Sequence, residues 1–182
     1  PNRPRYSNAG EAFTQTSRQV EIGARGSSDL ADWNAALFDI RRPRLGDFGS
    51  CDADGSCVRR PDGEQRHLGL EAGLALRLDA WTLRAGAQWL RARVEGSASP
   101  AIDGKEPTNV PTRTLKLQAD HRLAALPGLT LQGALVAESA RQALPDNSAQ
   151  IGGWSRFDLA ARYDTRWAAA ALTWRAGVDN LA

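Results

Sequence analysis

The feature that most restricts this chain is a strict two-residue period between Glu64 and Val94. Leu68, Leu70, Ala72, Leu74, Leu76 and Leu78 alternate with Gly69, Glu71, Gly73, Ala75, Arg77 and Asp79. After a short break, Trp81, Leu83, Ala85, Ala87 and Trp89 alternate with Thr82, Arg84, Gly86 and Gln88. Successive side chains of a strand point to opposite faces, so the pattern describes two long strands. Each has one apolar face and one charged, glycine-dotted face. Leucine and alanine favour helix, and β-branched residues are few. A helical period, however, puts Arg77, Asp79 and Arg84 on the stripe of the leucines, and alternation fits better.

The same template marks six further strands. They lie near Arg18–Gly26 (Val20, Ile22 and Ala24 on one face), Trp33–Arg42 (Ala36, Phe38 and Ile40) and Arg113–Ala124 (Leu115, Leu117, Ala119 and Leu123). The others lie near Gly128–Ala140 (Leu129, Leu131, Gly133, Leu135 and Ala137), Ser155–Asp164 (Phe157, Leu159, Ala161 and Tyr163) and Ala168–Asn180 (Ala170, Leu172, Trp174, Ala176 and Val178). In the second strand Leu37 falls opposite the apolar set, so its register is the least determined. The expected fold is all-β, with about eight antiparallel strands in up-and-down order.

The connections alternate in length. Short turns are expected at "SSDLAD", "DA", "ALP" and "TRW", and long polar stretches at Arg42–Gln65, Val94–Thr112 and Arg141–Trp154. Long loops at one end and short turns at the other are the habit of outer-membrane barrels. Trp33, Trp81 and Trp167 recur beside the short turns, while Trp89 and Trp154 lie towards the long loops, as two aromatic belts would. The leucine face is then expected to meet lipid and the other face a wet interior, where Gly69, Gly73 and Gly86 leave room. No stretch approaches the ~18 apolar residues of a membrane helix, but a barrel hides its apolar surface in alternate positions. The opening "PNRPRYSNAGEAF" has no apolar core of a signal peptide, so the chain is either cytoplasmic or lacks its beginning. Charge is nearly balanced, 23 Lys+Arg against 21 Asp+Glu, with scattered arginines, which gives no push towards nucleic acid.

Several of these segments, in order along nearly the whole chain, resemble a known family. They are "TSRQVEIGARG", "ADWNAALFDIRRPR", "EQRHLGLEAGL", "NVPTRTLKLQADHRL", "IGGWSRFDLAARYDTRW" and "LTWRAGVDNLA". They are similar to strands of TonB-dependent outer-membrane receptors, of the ferric-siderophore branch with ferrichrome and hydroxamate-type ligands. The resemblance implies a 22-stranded transmembrane β-barrel filled by an N-terminal plug, in the outer membrane of a Gram-negative bacterium. Its ligand would be a ferric siderophore, and its partners TonB, through the plug segment, and outer-membrane lipid. Residues 1–182 are then expected to be a fragment of the barrel domain, with the plug and the final strand absent. The alternatives are a free-standing eight-stranded outer-membrane barrel with a structural or adhesive role, and a soluble lipocalin-like binding barrel.

Candidate sites are few. Cys51 and Cys57, in the loop "CDADGSC", are expected either to close a small disulfide in an oxidising compartment or to remain free thiols. His67 and His121 have no Cys or carboxylate at ligand spacing, so no metal site or cofactor is expected. "DADG" at Asp52–Gly55 lacks the glycine position and closing glutamate of a calcium loop and reads as a turn. No nucleophile elbow is present, and no enzyme is expected. The inward charges Glu71, Arg77, Arg84, Lys116, Asp120, Arg156, Asp158, Arg162 and Arg175 would line the lumen and bond a plug. A few near the long loops would meet ligand, though the sequence does not single out which.

Overall fold

The computed structural model describes residues 6–8, 11–12, 14–51 and 57–182. Eight strands form one antiparallel sheet in chain order: β1 (Arg18–Ser27), β2 (Ala31–Phe48), β3 (Val58–Leu78), β4 (Trp81–Glu95), β5 (Arg113–Arg122), β6 (Leu129–Glu138), β9 (Trp154–Trp167) and β10 (Ala170–Val178). A two-residue ladder, β7 (Arg141–Gln142) with β8 (Gln150–Ile151), lies inside the loop between β6 and β9. β1 and β10 stand at opposite edges and do not pair. The sheet is an open arc, which sets aside the small closed barrels.

Register fixes the faces, because residues opposite one another in a ladder share a face. One row reads Ala24, Ala35, Ala72, Ala87, Leu115, Ala137; another reads Trp33, Leu74, Ala85, Leu117, Leu135, Phe157. This outer face holds most of the exposed large apolar side chains, among them Val20, Ile22, Leu70, Leu117, Leu159 and Trp174. The opposite face carries every inward charge named from the sequence. The wall is inside-out relative to a soluble sandwich: its leucines are exposed, and the few buried side chains lie elsewhere.

Those buried side chains correct the expected face of β2. Ala36, Phe38 and Ile40 lie on the inner face, opposite Glu71, Gly69 and His67. Trp33, Ala35 and Leu37 take the outer one. Ala36 and Phe38 on β2, with Ala92 and Val94 on β4, are the buried apolar residues of the inner face. The far end of the Phe38 ring sits over Gly69: a Cβ there would stand 2.3 Å from the phenyl Cζ. The apolar triplet in β2 is therefore a core patch of the wet face, and alternation alone could not tell it from a lipid-facing set.

The long connections share one end and the tight turns the other. Asp79–Ala80 makes a two-residue turn, with Asp79 at φ 42°. The last turn falls at Ala168–Ala169 rather than within Thr165–Trp167, which the structure keeps in β9. Arg42–Gln65, expected as loop, is mostly strand. β2 and β3 run on to the Phe48–Val58 pair, across a bulge between Pro43 and Leu45. Gly63 in that extension has φ +71°, and a Cβ there would meet the Glu95 carbonyl at 2.3 Å, so both backbone and space demand glycine.

Candidate functional site: inner wall and rim

The inner face is a polar wall with its charges largely matched internally. Arg84 contacts Asp120 at 2.7 Å, and the Gln118 and Gln132 amides each donate to the same carboxylate at 3.1 Å. Arg77 pairs with Asp32, Arg156 with Asp158 at 3.0 Å and Arg162 with Asp164 at 3.1 Å. Four of the arginines expected to reach a plug thus find carboxylates within the wall. Glu71, Lys116 and Arg175 make no ion pair among the described residues.

The three inner glycines are not equivalent. Phe38 fills the space over Gly69, and the Asn34 side chain fills that over Gly73, where a Cβ would meet Oδ1 at 2.4 Å. Nothing lies within 4 Å of a Cβ at Gly86. Only Gly86 leaves the expected room, in a recess of about 320 Å³ whose lining includes Asn34, Glu71, Gln88, Thr114 and Lys116.

Above the inner wall, the long loops are tied into one rim. Asp62 is buried. It accepts from Ser97 Oγ and Ala98 N–H, both at 2.8 Å, and from Arg44. Burial alone would raise its carboxyl pKa, but the Ala98, Ser97 and Arg44 donors outweigh this and hold it below the usual range. Glu106 joins the next two loops. It takes Arg93 at 2.8 Å and the Gln142 amide at 3.2 Å, and its own N–H donates to Asn147 Oδ1 at 2.9 Å. The Arg93 and Gln142 bonds depress the Glu106 pKa. Asp47 is likewise depressed, chiefly by its bond from Arg59 at 2.8 Å, with the Tyr6 hydroxyl adding a second at 3.0 Å. None of these three latches was named from the sequence. Each joins polar residues far apart in the chain, and nothing local marks them.

Cys51 and Cys57 are joined at the tip of the β2–β3 extension, their Cα atoms 4.5 Å apart. The Asp52–Gly55 stretch between them lies outside the described residues. His67 faces inward between Ile40 and Ala92. His121 stacks on Trp81 at 4.2 Å on the outer face. Trp33, Trp81, Trp89, Trp167 and Trp174 also lie on the outer face. Trp154 does not: it stands opposite Glu138 on the inner face and donates to its carboxylate at 3.2 Å, so it leaves the belt expected of it.

The family described as "TonB dependent receptor-like, beta-barrel" matches residues 3–181. The chain belongs to this family. It is 30% identical over 166 residues to the ferrichrome receptor FcuA of Yersinia enterocolitica, covering 91% of this chain and 21% of that protein. The ferric preacinetobactin receptor BauA of Acinetobacter baumannii superposes with a TM-score of 0.81 at 27% identity, over 99% of this chain and 28% of its own. The ferric yersiniabactin uptake receptor FyuA of Yersinia pestis shares the fold at TM-score 0.70 and 17% identity, over 92% and 25%. The chain thus spans about a fifth of the curated relative it matches. Membership places the wall in the outer membrane of a Gram-negative bacterium. The leucine face meets lipid, the turns face the periplasm and the latched loops face outward.

Proposed function

We propose that this chain is part of the barrel wall of a receptor that binds iron–siderophore complexes and imports them with energy supplied through TonB. The observation that carries the reading is the wall itself: lipid-facing leucines backed by a polar inner face and topped by a latched rim, in a chain similar to a ferrichrome receptor. The hydroxamate class of siderophore is the substrate we favour, on the 30% identity to that receptor. Such a wall does no bond-making chemistry. It bounds a wet passage and presents hydrogen-bonding groups to a bulky polar complex. The test is iron uptake in a strain whose chromosomal copy of the full-length gene is deleted. Radio-iron supplied on ferrichrome should fail to accumulate and recover on complementation, while ferric citrate uptake continues. Unchanged ferrichrome uptake in the deletion strain would refute the substrate class. Recovery with a TonB-deficient host would refute the energy source.

A further inference from the structure

Small and large side chains are unevenly spread over the outer face. One row reads Leu76, Leu83, Ala119, Gly133, Leu159 across five strands. Ala119 and Gly133 stand opposite each other in its middle. Leu117 and Leu135 lie one row towards the loops, and His121 and Leu131 one row towards the turns. The two small residues are the floor of a recess of about 720 Å³ that reaches from Trp81 and His121 to Ala85 and Phe157. Gly133 is not there to relieve a clash. A Cβ on it would meet nothing closer than Leu159 Cδ2 at 3.6 Å, an ordinary contact, unlike those over Gly69 and Gly73. A glycine inside a strand weakens it, and it often marks a place where another molecule approaches closely.

The recess also has a polar end. Trp81 opens β4 directly after the Asp79–Ala80 turn, and His121 is the last residue but one of β5. Both therefore lie at the periplasmic surface of the bilayer, where tryptophan gathers. Ionisable side chains in membrane segments rarely face lipid. Yet His121 stacks on Trp81 at this position, with its Nδ1 buried and without a hydrogen-bond partner among the described residues. A molecule with polar oxygens at that level and a hydrocarbon chain above it would answer both features. We infer that the recess holds one phospholipid of the periplasmic leaflet. Its phosphate–glycerol region lies against His121, and one acyl chain runs over Ala119 and Gly133 towards Ala85. The methylenes regain dispersion contacts that an unfilled hollow forfeits. A lipid oxygen gives the imidazole nitrogen a partner after a small turn of the ring, at a site where a bare polar atom is penalised. A free hydrocarbon chain would gain the first and not the second. A lipid anchored in the outer leaflet would carry its headgroup at the wrong surface.

The experiment offers the full-length receptor, in mild detergent, phosphatidylethanolamine, oleate or lipid A in separate arms, and counts bound molecules by native mass spectrometry. Wild type should retain one phosphatidylethanolamine. Gly133→Leu and Ala119→Leu, which fill the floor from either strand, should each cut that retention at least ten-fold with SDS resistance intact. His121→Phe keeps a ring on Trp81 but removes the polar atoms, and it should weaken retention several-fold. Val20→Leu, on the same face of β1, should change nothing. Equal retention by wild type and the two leucine variants overturns the inference, as does undiminished retention in His121→Phe or an equal loss with Val20→Leu. Oleate or lipid A held as tightly as phosphatidylethanolamine overturns it too, because the recess would then take any hydrocarbon chain.

Discussion

Gly69 and Gly86 lie on the same inner face of neighbouring strands, yet replacing each with alanine should have opposite effects. At Gly69 the new Cβ would stand 2.3, 2.8 and 2.9 Å from three atoms of the Phe38 ring, against ordinary carbon contacts of about 3.5–4.0 Å. The ring must lift by more than an ångström. Phe38 is only 8% exposed. Lifting it would uncover about half of the ~150–250 Å² such a side chain buries, worth about 2–3 kcal/mol at ~25 cal/mol per Å². Removing a strand glycine returns roughly 0.5–1 kcal/mol, so Gly69→Ala should cost about 1–2.5 kcal/mol net. Gly86→Ala meets nothing within 4 Å and should gain that ~0.5–1 kcal/mol. Urea unfolding of the full-length receptor in lipid vesicles, followed by tryptophan emission and by resistance to SDS, measures both. The decisive cycle adds Phe38→Ala: without the ring, Gly69→Ala should become neutral or stabilising. An undiminished penalty without Phe38, or equal effects at the two glycines, refutes the packing.

The same unfolding assay tests the two faces of β3. Leu74→Arg, between Trp33 and Ala85 on the lipid side, should cost roughly 2–4 kcal/mol if near the bilayer midplane. Ala75→Arg, between Asp32 and Arg84, should cost less, and the reverse order would defeat the assignment. Mass spectrometry of outer-membrane protein isolated with thiols blocked should find Cys51 and Cys57 linked, and two alkylated cysteines would count against the bond. Asp62→Asn should raise hydrogen exchange at residues 97–105 by loosening the Ser97, Ala98 and Arg44 contacts, and unchanged protection would remove the latch. Because the folded pKa of Asp62 lies below its unfolded value, its contribution is complete above the ordinary carboxylate pKa. It is lost as pH falls from about 4 through the lower folded value. Protection in this loop, corrected for the intrinsic pH dependence of amide exchange, should therefore fall on acidification in wild type and stay flat in Asp62→Asn.

Much of this wall was legible because a membrane strand is written in one rule. Leu68 to Leu78 and Leu115 to Leu123 must alternate, since one side meets hydrocarbon and the other water. Eight strands and their up-and-down order follow from that rule and from alternating loop lengths, while the open edges follow from the resemblance to a larger barrel. It failed where a residue's neighbours, rather than its parity, decide its surroundings. Phe38 is as apolar as Leu37, and only the pairing with Gly69 shows which of them faces the lumen. Trp154 reads as a belt residue until its partner Glu138 is known. The β2–β3 extension mixes polar and apolar residues on each face, Leu45 and Pro61 with Asp47 and Arg59, and Phe48 and Val58 with Arg60, because it has left the bilayer, so the alternation signal ends before the strands do. The rim latches join Asp62 to Ser97 and Glu106 to Asn147, separations that no local pattern reveals.

The position of the buried side chains then has a physical reason. Within the bilayer the wall needs no packed core of its own. Lipid solvates the leucines, and the ladder satisfies the backbone, which hydrocarbon would otherwise penalise by several kcal/mol per group. Above Trp89 that support ends. There β2, β3 and β4 continue without lipid, and past Glu95 only β2 and β3 remain paired, a two-stranded ribbon of a kind that is marginal alone. It is at this level that Phe38, Ala92 and Val94 become buried and that Asp62 and Glu106 gather their donors. Cys51 and Cys57 close the tip of the ribbon. The chain changes its source of stability at the membrane surface, from lipid below to packing, ion pairs and a covalent link above. A rim held this way keeps its shape where a ligand must first be met.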